Sequence, residues 1–334
     1  MLLYLDSFDH YTTPSQKYPL AGVATPLINS SGGRFGTNGM VCSDSGRGAG
    51  RTLDSPIDNF IIGVAYRPGI GNNQPVLAFR DGATPQVELR LNPSNQLYIT
   101  RNGTTLATST RVLLTLLTYY IEWKVAIDDA AGVAELVIEG TPEITLSGVD
   151  TRNAGTTVDR FYLQGLGGGD GQSAQFDDLY LADDSGSVNN DYLGDLRVQY
   201  RAPNGNGNSS QFDGSDGNSI DNYLLVDESV PDDDTTYVQS PDVGDKDTYT
   251  YEDLTPTAGS VPGVQIIPYA KRTDAGAREI VTVARLSGTE TDSASTGLLT
   301  DYAYYPDVRE TKPGGGAWSI TDVNNAEFGV KVSA

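Results

Sequence analysis

The sequence predicts an all-β protein built as two β-sandwich domains in tandem. Three observations predict it. The 334 residues include 38 Gly, 17 Pro and 19 Tyr and few long helix-favouring runs, so turns are frequent and strands are short. Apolar residues recur at alternate positions over short stretches, the period of a half-buried strand. The stretch 175–195, QFDDLYLADDSGSVNNDYLGD, reads as a closing strand from Phe176 to Ala182, a polar connector, and the opening strand of a second domain. A boundary near 187 divides the chain into 1–186 and 187–334, each long enough to bury a core without disulfides.

The formal net charge of -22 sets up a field that repels phosphate backbones and anionic lipid, so direct nucleic-acid binding is not expected. No apolar run approaches the roughly 20 residues of a membrane helix, so no membrane insertion is expected either. Met1 to Asp6 carries no basic region, and the expectation is a soluble chain without an export signal. The single Cys, Cys42, cannot form an internal disulfide, fits a reducing compartment, and reads as a small buried hydrophobe.

The first domain opens on Leu3-Tyr4-Leu5-Asp6, a short strand with Asp9 close behind. Turns are expected at Ser30-Ser31-Gly32-Gly33-Arg34-Phe35 and at Ser45-Gly46-Arg47-Gly48-Ala49-Gly50-Arg51. The second is no phosphate loop, because neither Gly-Lys-Ser/Thr nor a helical pattern follows it. Phe60 to Tyr66 is a nearly continuous apolar run, as for a strand buried on both faces. Val87, Leu89 and Leu91 alternate with Glu88 and Arg90, and Leu97-Tyr98-Ile99 leads into the hairpin turn Asn102-Gly103. From Tyr119 to Glu139 a further hairpin places Tyr119, Ile121, Trp123, Val125 and Ile127 on one face with Ala134, Leu136 and Ile138. Matching apolar to apolar pairs Ile127 with Ala134, Val125 with Leu136 and Trp123 with Ile138. That register leaves 129–132 as the loop and sets Lys124 beside or diagonal to Glu135 and Glu139.

Trp123-x-Val-x-Ile-Asp, a Gly-containing turn, Val133-x-Glu-Leu-Val-Ile-x-Gly, Val158 to Leu163 and the closing Phe-Asp-Asp-Leu-Tyr-Leu occur in that order. The set resembles the concanavalin A-like, laminin-G-type jelly roll over residues 1–186. Lectin domains and glucan hydrolases share that fold. A retaining hydrolase needs two carboxyls about 5 to 5.5 Å apart. The similar hydrolases carry Glu-x-Asp-x-x-Glu on one strand, and this chain has no such pattern. Glu135 and Glu139 lie roughly 13 Å apart along a strand, beyond the inverting range as well, and read as a solvated face. His10, the only His, has no Ser or Cys motif to activate and reads as structural or exposed. The chain is therefore expected not to be an enzyme. The resemblance also implies a structural Ca²⁺ pinning the first strand to the last, with Asp6 and Asp9 at one end and Asp177 or Asp178 at the other as hard oxygen ligands. No other cofactor is expected.

In the second domain Leu196 to Tyr200 alternates as a strand and Pro203 to Asn208 reads as a loop. Asp213 to Asn218 lacks the Glu that closes a calcium loop, and is read as a turn before a strand at Tyr223 to Val226. Tyr249 to Glu252 is a strand, and Val264 to Arg272 with Arg278 to Leu286 reads as a long hairpin. The end of the chain is expected as a strand at Trp318, one helical turn capped by Thr321 or Asp322, and a final strand. No heptad or collagen-like repeat occurs, so any oligomer must form through globular faces.

Three segments carry a second resemblance: Asn-Asn-Asp-Tyr-Leu-Gly-Asp-Leu-Arg-Val at 189–198, Asp-Glu-x-x-Pro-Asp-Asp-Asp-Thr-Thr-Tyr-Val at 227–238, and Trp-x-Ile-x-Asp-Val-Asn-Asn-Ala-Glu-Phe-Gly-Val-Lys from Trp318. Together they resemble structural proteins of tailed bacteriophages over about 175–334. This implies a non-enzymatic virion component of the tail, fibre or collar that contributes to host-surface attachment. It would assemble in the host cytoplasm with other virion proteins, as a homo-oligomer. The alternative is a carbohydrate-binding, lectin-like module recognising cell-surface glycan, with Tyr98, Tyr119, Tyr120 and Trp123 as stacking candidates. Trp123 lies on the apolar face and reads as core.

Overall fold

A computed structural model gives the structure of the chain and describes every residue except 23–24, 31, 44–46, 166–172 and 256–258. Ser31 and the Ser45-Gly46 part of the second expected turn lie outside the described residues. Arg47 to Arg51 are not a turn but the start of a long strand. The fold is all-β, in two compact units, Met1–Val198 and Gln199–Ala334.

In the first unit the strands are β1 (Leu2–Asp6), β2 (Leu20–Ala21), β3 (Leu27–Asn29), β4 (Gly39–Cys42) and β5 (Arg47–Ile57). Next come β6 (Asn59–Arg67), β7 (Gln74–Asp81), β8 (Thr84–Leu91), β9 (Gln96–Arg101) and β10 (Thr104–Val112). The last are β11 (Tyr119–Ala126), β12 (Gly132–Ile138), β13 (Thr141–Val149), β14 (Val158–Gly165) and β15 (Ala174–Ala182). An eight-stranded sheet runs β13-β12-β11-β6-β15-β4-β3, with β1 also paired to β15. A seven-stranded sheet runs β10-β9-β8-β7-β14-β5-β2. Their apolar faces meet through aromatic rings. Phe60 of β6 stacks on Phe79 of β7 with centroids 3.5 Å apart, Trp123 of β11 stands edge-on to both, and Phe161 of β14 lies 5.9 Å from Phe79. All four rings are fully buried, Trp123 among them as its face predicts.

The β9–β10 hairpin turns on Asn102 and Gly103, both at positive φ, as the Asn-Gly signal predicts. The β11–β12 register differs from the one read from the sequence. Ile121 is opposite Ile138, Trp123 opposite Leu136, and Val125 opposite Ala134, a shift of two. A shift of two keeps every side chain on its face, so apolar matching cannot distinguish the alternatives. The loop decides: it occupies 127–131, where Asp128 Oδ1 accepts the backbone N–H groups of Ala130 and Ala131, both at 2.7 Å.

The division between units falls at 198 and not near 187, because residues 191–198 are strapped onto the eight-stranded sheet. Lys124 Nζ donates to Asp191 at 3.0 Å, Tyr192 hydroxyl to Glu135 at 3.1 Å, Gly194 N–H to Glu122 at 2.8 Å and Val198 N–H to Asp178 at 2.7 Å. Arg34 grips Asp195 through two bonds of 2.7 and 3.0 Å. Glu135 therefore lies under the strap, half-buried, while Glu139, at φ 52, accepts the Tyr120 N–H and is exposed, as a solvated face requires. Leu196 to Tyr200 pairs with no strand.

The second unit holds a six-stranded sheet in the order Pro203–Ser210, Lys246–Tyr251, Glu327–Val332, Glu279–Leu286, Thr289–Asp292, with Thr296–Gly297 also on Glu279–Leu286. Ala284, Leu286 and Phe328 of this sheet pack with Ile266, Trp318 and Ala326 as its core. The expected long hairpin does not form. Val264–Ile266 pairs with Asp307–Arg309 and Tyr269–Ala270 with Ala303–Tyr304, while Glu279–Leu286 runs beside the C-terminal strand. Pro268, which has no N–H to give a ladder, separates the first two segments. Asn222–Leu225 is a 3₁₀ turn where a strand was expected, and Pro203–Ser210 is an edge strand where a loop was expected. The terminal helix Ile320–Asn324 is capped by Ser319, earlier than Thr321 or Asp322. Ser319 Oγ accepts the Asp322 N–H, and the Asp322 carboxylate accepts the Ser319 N–H.

Candidate functional site

The outer face of the seven-stranded sheet gathers arginines, aromatics and an amide. Side chains alternate along a strand, so the inward Phe79 and Phe161 turn their neighbours Ala78, Arg80, Arg160 and Tyr162 outward. Cross-strand pairing extends that face: Arg80 is opposite Arg160, Ala78 lies between Tyr162 and Glu88, Glu88 is opposite Thr100, and Arg90 is opposite Tyr98. On the far side Tyr162 pairs with Gly50 and Gln164 with Gly48. Both glycines are required by close approach. A Cβ on Gly50 would meet the Tyr162 ring at 2.5 Å, and one on Gly48 would meet Gln164 Cγ at 2.8 Å.

The charges on this face are unevenly paired. Arg160 holds Asp159 through two 2.8 Å bonds, and Arg90 is bonded to Glu88 and to the Asn73 carbonyl. Tyr98 hydroxyl reaches Asn73 Oδ1 at 3.2 Å. The Arg80 guanidinium lies 4.4 Å from the Tyr162 ring centroid, and its buried Nε has no hydrogen-bond partner. No carboxylate among the described residues lies within ion-pair distance of Arg80. Planar donors beside aromatic rings can take a planar anion in a fork of two hydrogen bonds. Arg80, Arg160, Tyr162 and Gln164 were missed in the sequence. No local pattern announces them, because they lie on β7 and β14, which meet only in the folded sheet.

The four carboxylates expected at a calcium site are engaged by protein donors. Asp6 is buried in a closed network: Oδ1 pairs with Lys17 Nζ at 3.2 Å and accepts the Phe8 N–H, while Oδ2 accepts the hydroxyls of Tyr4, Tyr11 and Tyr18. Burial would raise its pKa, but Lys17 holds it below the usual carboxylate value. Lys17 is itself pushed down to about 8 by burial. His10 is buried, with Nε2 3.1 Å from Lys17 Nζ. Asp9 accepts the Asn38 N–H at 2.8 Å. Asp177 accepts the N–H groups of Arg34 and Asp178, and Asp178 accepts Val198 N–H and pairs with Arg34 at 3.3 Å. Burial, then the charge of Asp178, raises Asp177 to about 8; burial raises Asp178 to about 6 against the pull of Val198 N–H and Arg34. Among the described residues no group of three or more His, Cys, Asp or Glu side chains is arranged to hold a metal ion. Lys17 and three tyrosines occupy the Asp6 oxygens that a shared Ca²⁺ would need.

Of the stacking candidates, Tyr98 stands on the outer face, partly exposed, whereas Tyr119, Tyr120 and Trp123 are buried. Cys42 is buried, its thiol pushed up to about 12 by desolvation.

No protein-family model and no curated protein matches the chain. Among solved structures the chain is similar to a sialidase at 11% identity and TM-score 0.35, covering 48% of this chain and 16% of that one. It is similar to the alginate lyase Aly36B at 14% identity and TM-score 0.37, covering 54% and 96%. It is also similar to an endo-beta-1,4-glucuronan lyase from the fungus Trichoderma reesei at 14% identity and TM-score 0.36, covering 53% and 89%. This chain thus spans less than a fifth of that sialidase's length and most of each lyase's. These are glycan-active enzymes, and against them the expectation that the chain is not an enzyme is withdrawn. None of them is a phage protein, so the virion expectation gains nothing from the comparison.

Proposed function

We propose that the chain acts on or binds carbohydrate, and that the outer face of the seven-stranded sheet takes a carboxylated polysaccharide. One observation carries the reading: Arg80 lies over Tyr162 without a carboxylate partner among the described residues, in a chain with 44 Asp and Glu against 22 Lys and Arg. A guanidinium left unpaired where acids outnumber bases two to one suits an anion from outside. A sugar carboxylate matches its fork geometry, and the partly exposed Tyr98 offers a ring for the apolar face of a pyranose. Turnover is measured alongside binding. Attachment to a host-surface glycan would use the same face.

The test is titration of the full chain with a polyuronate and with its carboxyl-reduced, neutral counterpart, each also assayed for chain cleavage. Binding of the polyuronate that weakens with salt, with little binding of the neutral polymer, is the expected result. Equal affinity for both, or none for either, would contradict the proposal.

A further inference from the structure

We propose that Lys17 and Asp6 join covalently, Nζ to Cγ, in an intrachain isopeptide bond that the fold itself makes. The two side chains are fully buried, with Nζ 3.2 Å from Oδ1. Tyr4, Tyr11, Tyr18, Phe8 and Phe161 are buried around them. Tyr18 stacks on Phe8 at 6.0 Å, and Nζ lies 5.0 Å from the Tyr4 ring centroid and 5.4 Å from that of Tyr11. Holding two full charges in such surroundings is costly, and an amide removes both.

The backbone fixes both reactants. Asp6 ends β1, opposite Leu179 of β15. Lys17 follows the 3₁₀ turn Pro14–Gln16, and the Pro14 carbonyl accepts its N–H at 3.1 Å and the Tyr18 N–H at 2.7 Å. The Lys17 carbonyl in turn accepts from Arg51 of β5 at 3.1 Å. Groups oriented in advance react as though at very high concentration.

The remaining contacts supply what acyl transfer needs. Oδ2 accepts the hydroxyls of Tyr18 at 2.8 Å, Tyr11 at 2.9 Å and Tyr4 at 3.2 Å. Three donors thus meet the oxygen that becomes the oxyanion when Nζ attacks Cγ. The Phe8 N–H donates at 3.0 Å to Oδ1, the oxygen that departs. Burial lowers Lys17 to about 8, which brings the free amine within reach near neutral pH. Against the burial that would raise it, Lys17 keeps Asp6 ionised, so the proton that leaves the ammonium also creates the electrophile. His10 Nε2, 3.1 Å from Nζ, accepts from the amine.

The step balances without an outside reagent. The ammonium gives one proton to the carboxylate, and Nζ–Cγ forms. A second proton leaves the nitrogen through His10, Cγ–Oδ1 breaks, and Oδ1 departs as water with both protons. The amide N–H that remains still faces His10 Nε2.

Mass spectrometry of the purified full chain, held folded at mildly alkaline pH and then unfolded for digestion, tests the bond. The expected intact mass is one water below that of the sequence. Lys17 is the first basic residue and Arg34 the next, so trypsin is expected to release 1–34 as one linked peptide in place of 1–17 and 18–34. Lys17→Met cannot close and is expected to keep its full mass, whether or not it folds. A wild-type chain of full mass that trypsin cuts after Lys17 would overturn the proposal and leave a permanent ion pair. A water loss that persists in Lys17→Met would place the change elsewhere and overturn it equally.

Discussion

His10 shows how one buried residue couples the fold to pH. Its Nε2 accepts from the Lys17 ammonium, which requires that nitrogen to be unprotonated. Burial, then the charge of Lys17, lowers its pKa from 6.5 to about 3. The unfolded chain therefore binds a proton that the native chain refuses, and this contribution to stability, complete above pH 6.5, is lost as pH falls toward 3. His10→Asn keeps an acceptor for Lys17 without titrating, and is expected to flatten the acid side of a melting-temperature profile; an unchanged acid slope would contradict the assignment. Asp177 works in the opposite sense. Its pKa is raised from 3.8 to about 8, so its stabilising contribution is complete below 3.8 and is lost as pH rises through 8. Asp177→Asn gives up an acceptor but removes that loss, so its melting temperature gains on the wild type as pH rises from about 4 to 8. A constant difference across that range would count against the raised value. These sites also mark what a sequence conceals. Lys17 follows no strand pattern, and lysine is almost never fully buried, so nothing announced that it would occupy Asp6. Trp123 was legible because its neighbours alternate around it.

At the scale of the element, alternation gave strands and faces reliably, and pairing partners far less so. Phe60 to Tyr66, Val87 to Leu91 and the Asn102-Gly103 hairpin were readable because each pattern is local. The β11–β12 register escaped because two registers that differ by two residues bury the same side chains, and a capped loop chose between them. The outer-face site escaped for a similar reason: Arg80 and Arg160 meet only once β7 and β14, eighty residues apart, are set in register. The strap at 191–198 read as a strand because Leu196 to Tyr200 alternates, but its hydrogen bonds go to side chains such as Glu122. Glu122 accepts from both Gly194 N–H and Tyr180 hydroxyl. Glu122→Ala leaves both donors unmet and is expected to cost about 1–3 kcal/mol. Hydrogen exchange should rise first at Gly194 while Phe60, Phe79 and Trp123 stay protected; uniform loss of protection would show that the strap belongs to the core and is not pinned onto it.

At the scale of the whole molecule, the distribution of charge matters more than its total. A net charge of -22 excludes polyanions from the average surface, yet residues 89–112, which contain no Asp or Glu, fall largely in β8, β9 and β10 of the sheet that carries Arg80, Arg90 and Arg160. Net charge argues against phosphate backbones and anionic lipid, and it does not report the local arrangement that sets Arg80, Arg90 and Arg160 on one sheet. The most direct measurement is calorimetric titration of the wild-type chain and of Arg80→Ala with the same polyuronate. The account predicts that the variant keeps its melting temperature and loses roughly 10- to 100-fold in affinity, the scale of one hydrogen bond to a charged group. Equal affinities in the two proteins would contradict it.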